Sequence, residues 1–261
     1  MAFKFCSIAS GSSGNCIYVA SDGCKLLVDA GISLKRIEDA LRTLGVSGRQ
    51  IDGILVTHSH GDHIGGVASF VKKYGTTVYC HADTARALYG KTGVTLQRKI
   101  VEIYENDFFV KDITVSPFAV SHDVHCLGYS LYNAGGKISI ATDLGHICSV
   151  VINRIAGSDI VLIEANHCEQ VLKNNPKYHI RLKERILSRR GHLSNHCCAA
   201  AITQLAKSGV KQVILGHLSE NNNTPELALN TVKDILRENL VDGIRIAVVT
   251  QEKMSAVYEI A

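Results

Sequence analysis

The chain has 261 residues, of which 46% are hydrophobic and 20% charged, and its formal net charge is +4. These values predict a globular protein with a sizeable core and exclude intrinsic disorder. No apolar run is long enough for a membrane span or a secretory leader, so we expect a cytoplasmic protein without membrane contact. Nine cysteines without a CxxC pair argue against a disulfide framework and indicate reduced, mainly buried thiols.

Predicted strands and helices alternate along the whole chain. Residues 3–31 have the pattern of three strands separated by a Gly/Ser loop and a turn, and residues 33–44 that of a helix capped by Ser33 and ended by Gly45. Next come a strand at IDGILVTH and a helix at GGVASFVKKYG. Further strands are predicted at TTVYCH, DITVSPFAV, LGYSLYN, KISIATD, DIVLIEA, KQVILGH with a helix on either side, IRIAVV and SAVYEI. No repeat or linker interrupts this pattern, so we expect one domain over residues 1–261.

The segment THSHGDHIGG, at residues 57–66, forms a predicted tight loop that is rich in metal-binding residue types. Within six positions it contains His58, His60, Asp62 and His63. Imidazole nitrogens and carboxylate oxygens bind borderline divalent ions such as zinc, manganese and iron. Histidines hydrogen-bonded in a polar turn are the alternative, but composition alone rarely places four such residues together. The spacing therefore predicts a metal site.

Three further candidates each follow a predicted apolar strand: His122, Asp143 and His217. Taken singly, each such residue is more often a hydrogen-bonded turn residue than a ligand. A pair of metal ions, however, needs more ligands than one loop supplies. Their shared placement at strand ends favours the ligand interpretation.

This order of HxHxDH, a strand-end His, a strand-end Asp and a late His is similar to the motif series of the metallo-β-lactamase superfamily. The resemblance spans nearly the whole chain. It implies an α/β (α+β) fold, a four-layer αβ/βα sandwich of two mixed sheets that pack face to face with helices outside. It also implies two divalent metal ions as cofactors, for which zinc and manganese are the main candidates and iron the third.

The resemblance further implies how the ligands divide between the ions. The first ion would be bound by His58, His60 and His122, and the second by Asp62, His63 and His217, with Asp143 bridging the two. Asp29, in the string LLVDAG, resembles the superfamily's early aspartate, which would orient the ligand loop through hydrogen bonds. A helix cap or a plain turn is the alternative role for Asp29.

Other strings resemble the bacterial YycJ/WalJ group of exonuclease-like proteins. These are SIASGSSGN, SHD with a following GY, ATDLG, EANH, GHLSN and LGHLSENNN. Cys168 departs from the group because an acidic residue is expected there, which puts in doubt any role that the group assigns to this position. His167 and Glu164, in the EANH string, are interpreted as structural.

An aspartate at the bridging position, Asp143, resembles the superfamily's nucleases and phosphodiesterases, whereas many β-lactamases have cysteine there. We therefore expect a two-metal phosphodiesterase, most specifically an exonuclease on double-stranded DNA. The chain lacks tryptophan, which disfavours a stacking platform for single strands. The alternatives are a hydrolase of a small phosphodiester, thioester or lactone, including promiscuous β-lactamase activity, and a binding protein without catalysis. The sequence sets no oligomeric state.

Candidate substrate contacts lie in two places. Residues 177–192 contain six lysines and arginines against one acid, among them Arg189 and Arg190, and such a strip binds phosphates unless it is only a solvated helix face. In HLSN, Ser194 or Asn195 would cap a helix whose free N–H groups meet a phosphate. The Gly/Ser loop, with Ser12 and Asn15, would also approach the substrate unless it is a simple turn.

The expected catalytic residues are Asp62, Asp143 and His192. Two ions would lower the pKa of a water molecule that attacks phosphorus, and would neutralise the charge that develops on the phosphoryl oxygens. His192 would contact a substrate phosphate or protonate the leaving oxygen. A structural histidine at a helix entry is the alternative.

Overall fold

The computed structural model describes residues 2–92 and 98–260. Within this part the strands are β1 (Phe3–Ala9), β2 (Cys16–Ala20), β3 (Lys25–Val28), β4 (Gly53–Leu55), β5 (Thr77–Cys80), β6 (Ile100–Glu102), β7 (Phe108–Val110), β8 (Ile113–Val120), β9 (Cys126–Asn133), β10 (Gly136–Ala141), β11 (Ile160–Glu164), β12 (Gln212–Gly216), β13 (Arg245–Val248) and β14 (Tyr258–Ile260). The helices are α1 (Leu34–Thr43), α2 (Gly61–Ile64), α3 (Val67–Tyr74), α4 (Ala82–Thr92), α5 (Ser149–Ile155), α6 (Glu169–Asn174), α7 (Ile180–Leu187), α8 (Asn195–Ala206) and α9 (Pro225–Glu238), and a 3₁₀ turn spans Gly48–Gln50.

The strands form two mixed sheets. The first has the order β14-β1-β2-β3-β4-β5-β6, with antiparallel pairing from β14 to β3 and parallel pairing from β3 to β6. The second has the order β13-β12-β11-β10-β9-β8-β7, and β10 to β13 in it are parallel. Central strands such as β2, β11 and β12 are buried along their whole length. Burial on both faces explains why their sequences are continuous apolar runs.

The chain divides into two compact units, each with its own core. The first comprises the residues up to 117, residues 131–136 and those from 251 onward, and the second comprises residues 118–130 and 137–250. Tyr18, Leu27 and Phe70 lie in the core of the first unit, and Phe118 and Ile163 in that of the second. Burying one such side chain contributes about 1.5–3 kcal/mol to the free energy of folding. Each core therefore stabilises the strands of its own sheet and the residues at their ends.

Local signals account for most element boundaries. Ser33 caps α1, since its side chain accepts a hydrogen bond from the Arg36 N–H, and Gly45 after the helix has a φ of 70°. The predicted loop at residues 57–66 is partly wrong, because Asp62 and His63 lie on the helical turn α2, for which His60 is the N-cap. Helices α4 to α7 and strands β6 and β7 were not predicted individually.

The nine cysteines are free thiols, and six of them are buried. Burial raises the pKa of Cys80 to about 12, as expected for an unreactive core thiol. Across residues 2–92 and 98–260, no helix combines the length and the apolarity needed to cross a bilayer.

Candidate metal centre

In the first unit, the end of β4 leads into a cluster of imidazoles. His58 and His63 are fully buried. Their ring centroids are 4.1 Å apart, and that of His60 is 4.6 Å from that of His58. Asp62 adds a carboxylate, whose Oδ2 lies 3.2 Å from Nε2 of His63. Packing three imidazoles and a carboxylate together has no advantage for a hydrophobic core, but it suits cation binding.

Asp29 and Thr57 fix this cluster. The Asp29 carboxylate accepts a hydrogen bond from the Thr57 N–H at 2.8 Å, and its Oδ2 lies 2.8 Å from Nδ1 of His63. The Thr57 hydroxyl contacts Nδ1 of His58 at 3.1 Å. Asp29 therefore holds Thr57 and His63 by hydrogen bonds, while Ser33 has the capping role on α1.

The Gly/Ser loop packs directly against the same residues. Asn15 is buried, and its Nδ2 lies 3.2 Å from Oδ2 of Asp62 and 3.0 Å from Nε2 of His63. A Cβ on Gly31 would lie 1.5 Å from the Asp62 carbonyl oxygen, so only glycine permits this close approach. Ser12, in contrast, is exposed on the same loop.

In the second unit, three neighbouring parallel strands end side by side. Asp143 follows β10, Glu164 ends β11, and His217 follows β12. Together with His192 these residues offer ligand atoms that all lie within 4.8 Å of one another. Parallel strands place their carboxyl ends at one edge, and functional groups in such folds collect there.

Glu164 is fully buried at the centre of this group. Its Oε1 accepts hydrogen bonds from Nδ1 of His192 at 2.7 Å and of His217 at 2.9 Å. Its Oε2 accepts from the backbone N–H groups of Leu144 and Leu193. Burial alone would raise the pKa of Glu164, but the two histidines hold it well below its usual value. Sequence reasoning had treated this residue as structural, although its strand-end position matches those of Asp143 and His217.

His192 and His122 complete the group in the second unit. Burial would lower the pKa of His192, but the Glu164 carboxylate raises it above the ordinary value. The His192 ring stacks on that of His217 with centroids 5.4 Å apart and lies 5.2 Å from that of His122. Nδ1 of His122 donates to the Gly191 carbonyl at 3.2 Å, and its Nε2 lies 3.9 Å from Oδ1 of Asp143.

Four of the predicted histidine ligands share one arrangement. In each of them Nδ1 contacts an oxygen atom. The pairs are His58 with the Thr57 hydroxyl, His63 with the Asp29 carboxylate, His122 with the Gly191 carbonyl and His217 with the Glu164 carboxylate. An acceptor at Nδ1 places the proton there and makes Nε2 the basic nitrogen, as is usual for metal-binding histidines, and in His63 this nitrogen also lies 3.0 Å from the Asn15 amide nitrogen. The donor set therefore fits divalent metal ions such as zinc or manganese.

The predicted substrate residues have different surroundings. Arg189 is exposed, whereas Arg190 donates from Nε and Nη2 to the carbonyl oxygens of His122 and Asp123. Ser194 caps α8 by accepting from the Cys197 N–H and is 4% exposed. Asn195 is fully buried and exchanges two amide hydrogen bonds with Asn223.

Helix α7 lies within the basic strip at residues 177–192 and has no buried residue. The strip's cations Lys177, Arg181 and Arg189 are exposed to solvent. Exposed cations at this density attract phosphates and are also compatible with a solvated helix face.

Comparison with known proteins identifies the family. The model of the Metallo-beta-lactamase superfamily matches residues 9–182, about two thirds of the chain. The chain belongs to this superfamily. The crystal structure of the metallo-β-lactamase fold protein YhfI from Bacillus subtilis agrees with it at a TM-score of 0.75, over 99% of this chain and 100% of that one, at 15% identity. The metallo-β-lactamase fold expected from the sequence is thereby confirmed.

Within the superfamily the chain is similar to named exodeoxyribonucleases. It is 37% identical to exodeoxyribonuclease WalJ of Streptococcus pneumoniae over 251 residues, which are 94% of this chain and 92% of that protein. It is 36% identical to exodeoxyribonuclease YycJ of Bacillus anthracis over 241 residues, 91% of this chain and 90% of that one. The resemblance to the YycJ/WalJ group is confirmed.

Proposed function

We propose that this protein is a two-metal phosphodiesterase that acts as an exonuclease on double-stranded DNA in the cytoplasm. The observation that carries the metal chemistry is the shared arrangement of four histidines, each with Nδ1 against an oxygen atom, as is usual for metal-binding histidines. The similarity to WalJ and YycJ over nine tenths of the chain supports exonuclease activity on DNA.

We take residues 1–261 to act as one catalytic domain. One ion would be held by His58, His60 and His122 and the other by Asp62, His63 and His217, and Asp143 would be a ligand for both. The histidine-rich set suits zinc, and its carboxylates also accept manganese.

When bound, two divalent ions lower the pKa of water and neutralise charge on phosphoryl oxygens. The residues of the chain orient the histidine rings and supply a proton to the leaving group. Asp29 and Glu164 fix the ring orientation of His63 and His217, respectively. His192 has its Nδ1 on Glu164, so its Nε2 is available to donate a proton to the leaving oxygen of the cleaved phosphodiester. In the metal-free protein the Glu164 carboxylate raises the pKa of His192 against the effect of burial.

The nucleic acid is bound through its backbone in this proposal. The exposed basic strip at residues 177–192, including Arg189, supplies cations for phosphates, and the exposed Ser12 lies on the loop that contacts Asp62. The buried pairing of Asn195 with Asn223 favours a supporting role for Asn195 over direct phosphate contact. Backbone binding implies affinity that falls steeply with salt concentration.

The test is incubation of the purified protein, with Mn²⁺ or Zn²⁺, against end-labelled duplex DNA, single-stranded DNA, RNA, bis(p-nitrophenyl) phosphate and a β-lactam. We expect stepwise shortening of the duplex. The His58→Ala and Asp143→Ala variants, one from each unit, should lose this activity and also bind less metal. Cleavage of the small phosphodiester or the β-lactam alone would overturn the DNA assignment, and full activity of both variants would overturn the metal centre.

A further inference from the structure

Asp123 follows His122 in the chain and lies beside the ring nitrogen of His122 that faces the proposed metal. Its Oδ1 is 3.2 Å from Nε2 of His122, and its side chain is 27% exposed. The residue ends the string SHD but was not among the predicted ligands.

The tautomer of His122 determines what this contact means. Nδ1 lies 3.2 Å from the Gly191 carbonyl oxygen, which can only accept, so Nδ1 carries the proton and the neutral ring has a lone pair on Nε2. That lone pair faces carboxylate oxygens of Asp123 at 3.2 Å and of Asp143 at 3.9 Å. Electron-rich atoms converging in this way are stabilised by a cation between them.

The spacing matches shared coordination. Metal–nitrogen and metal–oxygen bonds are both about 2.1 Å long, so two ligands of one ion are about 3.0–3.4 Å apart at octahedral to tetrahedral angles. The 3.2 Å between Asp123 Oδ1 and His122 Nε2 lies in this range.

Two arginines hold Asp123 in this orientation. Arg185, on α7, pairs with Oδ2 of Asp123. Arg190 donates to the carbonyl oxygens of His122 at 3.0 Å and Asp123 at 2.8 Å, which fixes the backbone of both residues. With Oδ2 on Arg185, Oδ1 is the oxygen directed at His122.

We propose that Asp123 is a further metal ligand, which binds through Oδ1 to the ion that His122 binds, and that Arg185 is its positioning residue. The inference rests on the proposed two-metal centre. With a carboxylate oxygen added to the nitrogens of His58, His60 and His122, the ligand set of this ion becomes harder in the sense of hard and soft ligands. Its preference shifts toward Mn²⁺ relative to Zn²⁺, because oxygen ligands suit manganese.

The experiment is competition titration of the full-length, chelator-stripped protein with Mn²⁺ and with Zn²⁺, without nucleic acid. Mn²⁺ electron paramagnetic resonance reports the occupied sites. Asp123→Asn should weaken Mn²⁺ binding at one site by about 10-fold or more and Zn²⁺ binding by less. Arg185→Gln should have a smaller effect in the same direction. Asp234→Asn is the matched control, since Asp234 also pairs with an arginine, Arg237, but at exposed positions on α9.

Four outcomes decide the matter. Weakened Mn²⁺ binding in Asp123→Asn, with Asp234→Asn unchanged, supports the proposal. Unchanged Mn²⁺ binding in Asp123→Asn, while His58→Ala weakens it, overturns the role of Asp123 and leaves the metal centre intact. Unchanged binding in both variants overturns the centre and the inference together. If Asp123→Asn does not fold, Arg185→Gln decides, and unaltered Mn²⁺ affinity in that variant overturns the proposal.

Discussion

We expect His167 to make the folded protein sensitive to mild acid. The residue is 1% exposed, and neither of its ring nitrogens has a hydrogen-bond partner among the described residues. Burial lowers its pKa from 6.5 to about 4. The unfolded chain therefore binds a proton on His167 below pH 6.5, whereas the folded protein resists protonation until about pH 4. Stability is lost as the pH falls through this window.

The magnitude follows from the shift. A difference of 2.5 pKa units corresponds to about 3 kcal/mol in total, of which about 2 kcal/mol is lost between pH 7.5 and pH 5. His167→Met removes the titrating group and fills a similar volume with a flexible apolar side chain. This variant should lose about 2 kcal/mol less than the wild type over the same pH range.

Urea unfolding followed by circular dichroism at pH 7.5, 6.0 and 5.0 measures this difference. A chelator is included so that proton competition for metal-binding histidines adds nothing. His196→Met, at an exposed position on α8, is the control and should follow the wild type. Equal pH dependence in His167→Met and the wild type would refute the assignment of acid sensitivity to this buried ring.

Three further predictions concern the site and its supports. Glu164→Gln replaces one acceptor oxygen with an NH₂ donor, which must face either two backbone N–H groups or Nδ1 of His192 and His217, so buried donors lose their acceptor in either orientation. Stability should fall by about 1–3 kcal/mol, and the less firmly oriented His217 should lower metal affinity about 10- to 100-fold in a chelator competition assay. Gly31→Ala should destabilise the protein by about 3 kcal/mol or more in urea unfolding, because its Cβ would overlap the Asp62 carbonyl, whereas Gly61→Ala, with open space at its Cβ, should change stability by about 0.5 kcal/mol or less. Cys168→Asp should raise the midpoint of urea unfolding, because Cys168 is the N-cap of α6 and makes no side-chain cap hydrogen bond. An aspartate at an N-cap stabilises a helix by about 1 kcal/mol. An unchanged or lower midpoint would contradict the expected capping by aspartate at this position.

Sequence patterns predicted the features that depend on local chemistry. Apolar runs bounded by turn residues predicted β1 to β5 and β8 to β14, and Ser33 with Gly45 predicted both ends of α1. The clustering of His and Asp residues in one short segment predicted the types of ligand. Each of these signals lies within a few consecutive residues.

Contacts over long sequence separations could not be predicted in this way. The sequence predicted Asn195 as a helix-cap residue at a phosphate site, but its amide partner Asn223 is 28 positions away. Arg190 looked like a phosphate contact, yet its acceptors lie 67 and 68 positions earlier in the chain. Recognising the place of Glu164 in the site required knowledge of the strand order. Only the placement of β11 between β10 and β12 shows that Glu164 lies between Asp143 and His217.

Backbone conformation gives a separate indication of where function lies. Asp29, Asp143 and His217 have φ values of 61°, 58° and 54°, and each follows the end of a strand. This left-handed conformation costs about 1–2 kcal/mol for a residue with a Cβ, and turns such as those at Gly45 and Gly157 use glycine, although Lys111 and Leu240 also adopt it outside the site. Glycine at the three strand ends would relieve the strain but remove the carboxylate or imidazole. Hydrogen bonds from the Thr57 N–H to Asp29 and from Asn166 to the His217 carbonyl offset part of the cost. The fold therefore retains strain where a side chain must turn back toward the edge of its sheet, and those positions coincide with residues that the ligand motif selects independently.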